Sequence, residues 1–435
     1  MIVSPAFANK KFAILGLARS GLASAKTLAS SGALITAWDS DEAARAAAAD
    51  IAEIADPMEI DLTGFDGIVV SPGVPLIRHP IARKAQAAGV PIIGDMELFA
   101  MARASLPAHR VVGITGTNGK STTTALVYHL IKSAALPARM AGNIGVPILS
   151  QSPLPAGGVY ILELSSYQID LTRSLQCDVA ALINLSPDHL DRYHDYEGYI
   201  AAKARLFAMQ SAQQHSIFGN GDDDTRSIYL KLAAQKDRDF CQLAEPTDLK
   251  GQENWPSLQG PHNLENAAIA VKIVEALGIS ENQWRRAMPH FRGLPHRMEI
   301  VGEYAGVLYV NDSKATNAAS TAPALAAYPR IHWILGGIAK SEHLDECKPN
   351  FGHVVKAYTI GESGASLGAI LAPYMPVISC EMLATAVAQA AMAAKPGDVV
   401  MLSPACASFD QFKDFEARGD CFKAAFANLT KDAHE

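Results

Sequence analysis

The stretch Thr115-Gly116-Thr117-Asn118-Gly119-Lys120-Ser121-Thr122 combines residue types that hold phosphate groups. Glycines let backbone N–H groups approach phosphate oxygens closely, and a helix starting at Lys120 adds unsatisfied donors and the positive end of its dipole. Lys120 can reach the β- and γ-phosphates of a nucleoside triphosphate, and the Ser121 hydroxyl can ligate Mg²⁺. The apolar run Arg110–Ile114 feeds this turn as a strand, so the order is strand, loop, helix. The match to G-x-x-x-x-G-K-[ST] is imperfect, because Ile114 stands where the first glycine belongs and Gly113 lies one residue early. The competing reading is a glycine-rich turn that caps a helix and happens to contain lysine. The strand–loop–helix context disfavours it.

Metal-held phosphates call for a carboxylate at a neighbouring strand end. In Val159-Tyr-Ile-Leu-Glu163 a single carboxylate follows an apolar run. Burying it unpaired would be costly, so Glu163 is either a metal partner or a strand-end residue facing solvent. Ser186-Pro-Asp-His189-Leu-Asp191-Arg-Tyr193 follows another apolar strand and clusters titratable groups at such an edge. His189 is a candidate metal ligand there, against the alternative of a hydrogen-bonded loop histidine. A second glycine turn, Gly16-Leu17-Ala18-Arg19-Ser20-Gly21, follows the first strand and opens a helix. It lacks the middle glycine of G-x-G-x-x-G, although Asp39 ends the second strand, where an acid meets a ribose hydroxyl in nucleotide-binding folds. Arg19 suits a phosphate better than close backbone packing. The alternative is a plain βα turn in which Asp39 caps the next segment of chain.

The elements that must position these groups alternate along the chain. Phe12–Leu17, Ala33–Trp38 and Gly67–Ser71 read as strands, with a helix over Gly21–Ser31. Val159–Leu164, Val179–Leu185, Val307–Asn311, Ile331–Leu335, Ala357–Ile360 and Val399–Leu402 read as further strands, and Lys120–Lys132 as a helix. The pattern predicts an α/β fold of parallel sheets covered by helices. Residues 211–260 read as a loop-rich stretch and Gly293–Arg297 as a hinge. A chain of 435 residues has room for about three domains. Its 37 basic and 44 acidic residues give a net charge of −7, so no bulk attraction draws it to nucleic acid or an anionic membrane. The six cysteines show no Cys-x-x-Cys spacing, which disfavours a zinc site and fits a reducing cytosol. Lys10-Lys11 and the apolar residues after it faintly imitate a signal peptide. The run is too short and is broken by Arg19, so a first buried strand is expected. No apolar run approaches a membrane span.

Together these motifs resemble those of the Mur ligase family, the ATP-dependent amide-forming enzymes that build the peptidoglycan stem peptide. The resemblance covers essentially the whole chain, through Gly16–Gly21, Ser71-Pro-Gly73, Thr115–Thr124, Gly142-Asn143-Ile-Gly145, Glu163–Gln168, Asp188–Tyr193, Gly260–Asn266, Leu294–Arg297, Asn311–Asn317, Gly336–Lys340 and Ser403–Phe415. The last two are the most specific, and the whole set is most similar to the D-glutamate-adding branch. The resemblance implies three domains: 1–105, Rossmann-like, for a UDP-linked substrate; 106–296, a P-loop-type ATPase with a mostly parallel sheet; and 297–435, Rossmann-like, for the incoming amino acid. It implies that D-glutamate is joined to UDP-N-acetylmuramoyl-L-alanine through an acyl phosphate. The enzyme is then a cytoplasmic monomer with small-molecule substrates, no nucleic acid and no membrane insertion.

The same resemblance assigns residues. Gly116, Thr117, Asn118, Gly119 and Thr122 line the ATP phosphates with Lys120 and Ser121, and Glu163 completes one Mg²⁺ site. His189 helps hold a second Mg²⁺. Lys203 aligns with a lysine that the family carbamylates, although its surroundings in the sequence alone read as a solvated helix. Asn143 matches a contact to the transferring phosphate, Asn263 and Asn266 match adenine contacts, and Arg297 and Asp312 match ribose and phosphate contacts. Lys314, Thr316, Lys340, Ser408 and Phe415 fall in the glutamate pocket. Unaided, Lys340 reads as a surface lysine, and Ser408 and Phe415 as loop packing. Leu17, Ala18, Arg19, Asp39, Ser40, Ser71 and Gly73 fall where the family holds UDP, and relatives carry Thr where Arg19 stands. The main alternative is another Mur-type or folate-type ligase with a different amino acid. The Asp-Asn-Pro-Arg element of diaminopimelate- or lysine-adding enzymes is absent, and Asn118-Gly-Lys-Ser-Thr differs from the Gly-Lys-Gly-Ser loop of folate relatives. An NAD-dependent dehydrogenase is disfavoured by the missing middle glycine and the second nucleotide loop. A non-enzymatic nucleotide switch would not need a carboxylate pocket.

Overall fold

The computed structural model describes residues 1–188, 192–339, 341 and 343–431. The chain packs as two compact units, Met1–Glu245 with Ala268–Arg285, and Pro246–Ala267 with Arg286–Glu435. Three main sheets, mostly parallel, form the α/β framework expected from the alternating pattern.

The first unit holds two sheets. Strands β1 (Lys11–Leu15), β2 (Leu34–Trp38), β3 (Glu53–Ile54), β4 (Gly67–Val70) and β5 (Ile92–Ile93) form the first, in the order β3-β2-β1-β4-β5. All its pairs are parallel. β1 and β4 are almost wholly apolar, as strands buried on both faces must be. The second sheet contains β6 (His109–Thr115), β7 (Ala138–Gly142), β8 (Gly158–Glu163), β9 (Val179–Leu182), β10 (His215–Gly219) and β11 (Cys241–Ala244). Its order is β11-β10-β9-β6-β8-β7, again parallel throughout. β10, β11 and the helix Asp223–Ala233 between them correct the expectation of a loop-rich 211–260 stretch. Their apolar runs are short and mixed with polar residues, and it is pairing in the sheet that makes them strands. The connections between these elements and the short turns from Pro246 to Leu258 remain irregular.

The first helix, Arg19–Ser30, begins two residues earlier than expected, and β9 ends three residues sooner, at Leu182. One core of buried side chains, including Phe12, Phe99, Tyr160 and Phe218, runs through both sheets of this unit. The helix Asp95–Ala102 fastens them. Glu97 accepts from the Arg173 and Ser174 backbone N–H groups and from the Ser174 hydroxyl, and Gly94 N–H donates to Leu171 O. Asp95 beside it is buried, and burial pushes its carboxyl up to about 6 despite the Met96 N–H it accepts. A carboxyl raised in the folded state stabilises below the unfolded value of 3.8 and loses that contribution as pH rises through about 6. Asp95→Asn is therefore expected to leave stability below pH 4 unchanged and to raise it at pH 7.5, by up to about 3 kcal/mol. Urea denaturation at the two pH values checks this.

The second unit is built on strands β12 (Glu299–Tyr304), β13 (Val307–Asn311), β14 (Ile331–Gly336), β16 (Val354–Ile360), β17 (Val377–Glu381) and β18 (Val399–Leu402), with the short β15 (Ile338–Ala339) and β19 (Cys406–Ala407) forming a separate ladder. The sheet order is β12-β13-β18-β14-β16-β17. Only β12 runs antiparallel, paired to β13. Apolar clusters around Trp333 and around Tyr358 cover its two faces. Among the described residues no helix is long and apolar enough to cross a membrane.

Candidate active site

The register of the second sheet brings its carboxyl ends to one level. Ile114 pairs with Glu163, Glu163 with Gly142, and Thr115 with Leu182. The loops after these strands therefore emerge side by side, as ligand-binding loops of open α/β sheets do. The glycine loop follows β6, whose connections leave toward β7 on one side while β9 lies on the other. Gly116 and Gly119 take φ values of 151° and 81°, in the region that favours glycine. The loop is pinned from the β9 side: Thr117 N–H donates to Asn184 O (2.9 Å), Asn118 N–H to Asn184 Oδ1 (2.8 Å) and Ser186 N–H to Thr117 Oγ1 (3.0 Å). Lys120 opens the helix Lys120–Ser133 and folds back, its Nζ donating to Gly116 O (2.9 Å) and Thr117 O (2.7 Å). Ser121 is buried beside it and Thr122 is half-buried.

Glu163 ends β8 and is 1% exposed, not turned to solvent. Its Oε1 accepts from Asn143 Nδ2 at 3.0 Å, while Oε2 is buried with no hydrogen-bond partner among the described residues. A carboxylate oxygen left this way is expensive unless a cation or donor arrives. Asn143 is fixed twice, since its N–H also donates to Glu163 O (2.8 Å). Gly142 before it has φ 99°, and a Cβ there would run into the Glu163 carbonyl.

Lys203 corrects the solvated-lysine expectation. It lies in the helix Tyr196–Ala208 and is 2% exposed, because that helix turns it inward under the phosphate loop. Its Nζ donates to Gly116 O (2.9 Å), weakly to Thr115 Oγ1 (3.4 Å), and sits 4.7 Å from the centre of the Tyr199 ring. Burial, reinforced by the Lys120 charge, pushes its amine well below the ordinary lysine value. Two lysine amines thus meet on one loop carbonyl. His189 and Lys340 lie outside the described residues. Among the described residues no three His, Cys, Asp or Glu side chains converge as a metal cage. The buried Glu163 oxygen and the Ser121 hydroxyl are hard oxygen donors, which fits Mg²⁺ held largely through nucleotide phosphates.

In the first sheet the loops after β1 and β4 meet, Ser71 Oγ donating to Gly16 O at 2.8 Å. Asp39 accepts from Leu17 N–H (2.6 Å) and Asp41 N–H (2.9 Å). Burial opposes its ionisation, but the Asp41 and Leu17 donors outweigh that and hold the carboxyl below its usual range. Asp39 thus shapes the Leu17–Ala18 turn. Ala18, Arg19, Ser40 and Gly73 are exposed around it, and Arg19 Nη2 donates to Gly145 O at 2.8 Å. Sequence reasoning missed Arg192 as a contributor. It donates to Pro72 O (3.1 Å) and Gly73 O (3.0 Å) and lies over the Tyr167 ring, holding the loop that bears Ser71. Its only signal was its place in the Asp188–Tyr193 motif.

In the second unit, Asn311 pairs with Leu402 and Gly336 with Ile360, so the loops at 312–317, 337–339 and 403–408 share one edge. Lys314 Nζ lies 4.0 Å from the centre of the Phe415 ring, Thr316 is half-buried and Ser408 is buried. β15 pairs with β19, which sets Ala339 opposite Cys406, close in sequence to Ser408. Asp312 is buried, accepts from Ser403 Oγ (2.8 Å) and Met298 N–H (3.2 Å), and is pushed up to about 7 by burial. It anchors the peptide after Arg297. Asn263 and Asn266 are both 3% exposed, Asn266 Nδ2 donating to Asn263 Oδ1 at 3.2 Å.

Comparison with known proteins places these loops in one family. The Mur ligase MurD-like N-terminal domain matches residues 10–94, the Mur ligase middle domain residues 114–245 and the Mur ligase glutamate ligase domain residues 296–406. A UDP-N-acetylmuramoylalanine–D-glutamate ligase of Novosphingobium aromaticivorans is 67% identical over 432 residues, covering 99% of this chain and 98% of the relative. A ligase of the same name from Sphingopyxis alaskensis is 56% identical over 99% of this chain and 100% of its own length. Among solved structures, the MurF ligase of Thermotoga maritima in complex with ADP superposes with a TM-score of 0.60, at 15% identity, over 97% of this chain and 96% of its own, which supports the fold alone. With strand-end loops matched by all three domain families and full-length relatives this similar, the chain belongs to the Mur ligase family.

Proposed function

We propose that the chain is an ATP-dependent ligase that joins D-glutamate to UDP-N-acetylmuramoyl-L-alanine in the cytoplasmic stage of peptidoglycan synthesis, acting as a monomer with segments 1–105, 106–296 and 297–435 serving the UDP substrate, ATP and the amino acid. The observation that carries this reading is the convergence of Lys120 and Lys203 on Gly116 O at the strand level of the unpartnered Glu163 oxygen. That is a receptor for a polyanion and its cation. The names of the full-length relatives support the choice of D-glutamate.

In the reaction, a substrate carboxylate oxygen attacks the γ-phosphorus of ATP, and ADP leaves. The acyl phosphate is then attacked by the amine of D-glutamate, and the tetrahedral intermediate collapses to the amide with loss of phosphate and a proton. The chain contributes orientation and charge neutralisation. Gly116 to Thr122 present N–H groups and the Lys120 ammonium to the phosphates, and Asn143, held by Glu163, faces the transferring group. Ser121 and Glu163 would hold one Mg²⁺ and His189 and Lys203 a second, and these cations would supply charge neutralisation at the phosphates. As an ammonium Lys203 would repel a cation. Its neutral amine can add to CO₂, forming an N–C bond and releasing a proton, to become an anionic carbamate. Asn263 and Asn266 serve adenine, and Arg297 and Asp312 serve ribose and phosphates. Leu17, Ala18, Arg19, Asp39, Ser40, Ser71 and Gly73 serve the UDP moiety, and Lys314, Thr316, Lys340, Ser408 and Phe415 serve the amino acid, whose two carboxylates need several donors.

Phosphate release from ATP with UDP-N-acetylmuramoyl-L-alanine and a panel of D- and L-amino acids tests this. Release with D-glutamate above all others is expected. Preference for another amino acid would transfer the chain to a different branch of the family.

A further inference from the structure

The bonds that hold the phosphate loop continue one strand further out. Thr117 and Asn118 are pinned to Asn184, and Ser186 N–H to Thr117 Oγ1. Thr117 Oγ1 also lies 3.1 Å from the Tyr199 hydroxyl. A Cβ at Gly116 would stand 3.0 Å from Ile183 Cβ, so the loop presses directly on this segment. Leu185 is the middle residue of the clasp and is 4% exposed. Its N–H donates to Asp222 Oδ2 at 3.0 Å, on the turn after β10.

That turn is itself fixed. A Cβ at Gly219, the last residue of β10, would run into the Ile183 carbonyl, so the exits of β9 and β10 are in contact. Asn220 Nδ2 donates to both Glu245 carboxylate oxygens (2.9 Å each), and its Oδ1 accepts from Arg226 Nε (3.0 Å). Tyr196 OH donates to Asp224 Oδ2 (3.0 Å), which ties the turn to the first residue of the helix that carries Lys203. Asp222 Oδ1 accepts from Thr225 N–H (2.8 Å) and caps the helix Asp223–Ala233. Its Oδ2 takes the buried Thr225 hydroxyl (2.9 Å) and Leu185 N–H. A helix cap needs one oxygen. Helix capping therefore does not account for the bond to Leu185, which crosses to the loop of another strand.

We propose that Asp222 is a positioning residue of the ATP site: through Leu185 N–H it holds the Asn184–Ser186 clasp, and the clasp fixes Thr117 and Asn118 before nucleotide arrives. This rests on the reading of that loop as the ATP site. β10 is two strands away from β6, which feeds the loop, so Asp222 acts only through the segment between them. A loop already ordered costs less to immobilise on binding, and a carboxylate is the stronger acceptor for a backbone N–H.

Titration with ADP and Mg²⁺ measures the loop directly. Asp222→Ser keeps an oxygen for the helix cap and has none left for Leu185, whereas Asp222→Ala removes both. Both variants are expected to weaken ADP binding about tenfold, the scale of one lost charge-assisted hydrogen bond. KM for ATP should rise by about the same factor, while KM for D-glutamate stays within about twofold. Only Asp222→Ala should lower the thermal midpoint, by ~2–4 °C. Wild-type ADP affinity in Asp222→Ser overturns the proposal, because a capping role alone gives that result. Hydrogen exchange of the wild-type protein is independent of how the variants fold. ADP with Mg²⁺ should slow the Leu185 amide together with those of Thr117 and Asn118, and slowing at the loop alone overturns the proposal. Absence of ADP binding by the wild type counts against the ATP-site reading. Normal wild-type binding that Asp222→Ser shares counts against Asp222 alone.

Discussion

Lys120→Ala is expected to lower D-glutamate-dependent phosphate release by at least about 10³-fold, the loss typical of a cationic or donor group aimed at transition-state charge. The fold should survive. Lys120 is half-buried at the mouth of the loop, and its ammonium donates to the loop's own Gly116 and Thr117 carbonyls, which nucleotide-free solvent can satisfy. Removing its charge also relieves the repulsion that helps depress the Lys203 amine. The thermal midpoint should therefore shift by no more than a few degrees, in line with a change near 1 kcal/mol or less. Phosphate release and a thermal scan on the same preparation check both statements. Retained activity would remove the loop from the ATP site.

The second large effect concerns Lys203. Lys203→Ala should reduce turnover by about 10²- to 10³-fold, because it deletes an anionic oxygen ligand if the amine is carbamylated. A buried lysine that merely braced Gly116 O would also cost activity when removed, through a lost buried hydrogen bond of about 1–3 kcal/mol. Chemical rescue distinguishes the cases. A short carboxylic acid such as acetate, placed in the space left by the side chain, should restore part of the activity in the carbamate case. It should do nothing for a lost N–H donor. Absence of rescue would count against the carbamate while leaving the enzyme class intact.

Much of this site was legible along the chain. Glycine turns between an apolar strand and a helix are local chemistry: φ near 151° at Gly116, 81° at Gly119 and 92° at Gly16 is a demand that a few adjacent residues state by themselves. Glu163 was legible for a related reason, a lone carboxylate closing an otherwise apolar strand. The elements misread were those whose identity depends on neighbours. β10 and β11 are short, and parallel pairing of β10 with β9 and of β11 with β10 makes them strands, not their own composition.

The amino-acid sequence alone determined the α/β class, the phosphate-binding loop and, through motifs spread over the whole chain, the family. Tertiary structure decided which charges are buried and what they face. Lys203 looks like a surface helix residue until the helix packs beneath a loop 87 positions earlier in the chain. Arg418 reads as an ordinary helix residue until Ser313, Gly336 and Cys406 are brought around its guanidinium. Burial and long-range hydrogen bonds are properties of the packed chain, and the protonation of a buried amine is set by that packing as much as by its residue type. The imperfect phosphate loop is thus complete only when the strand order sets Asn184, Glu163 and Lys203 around it.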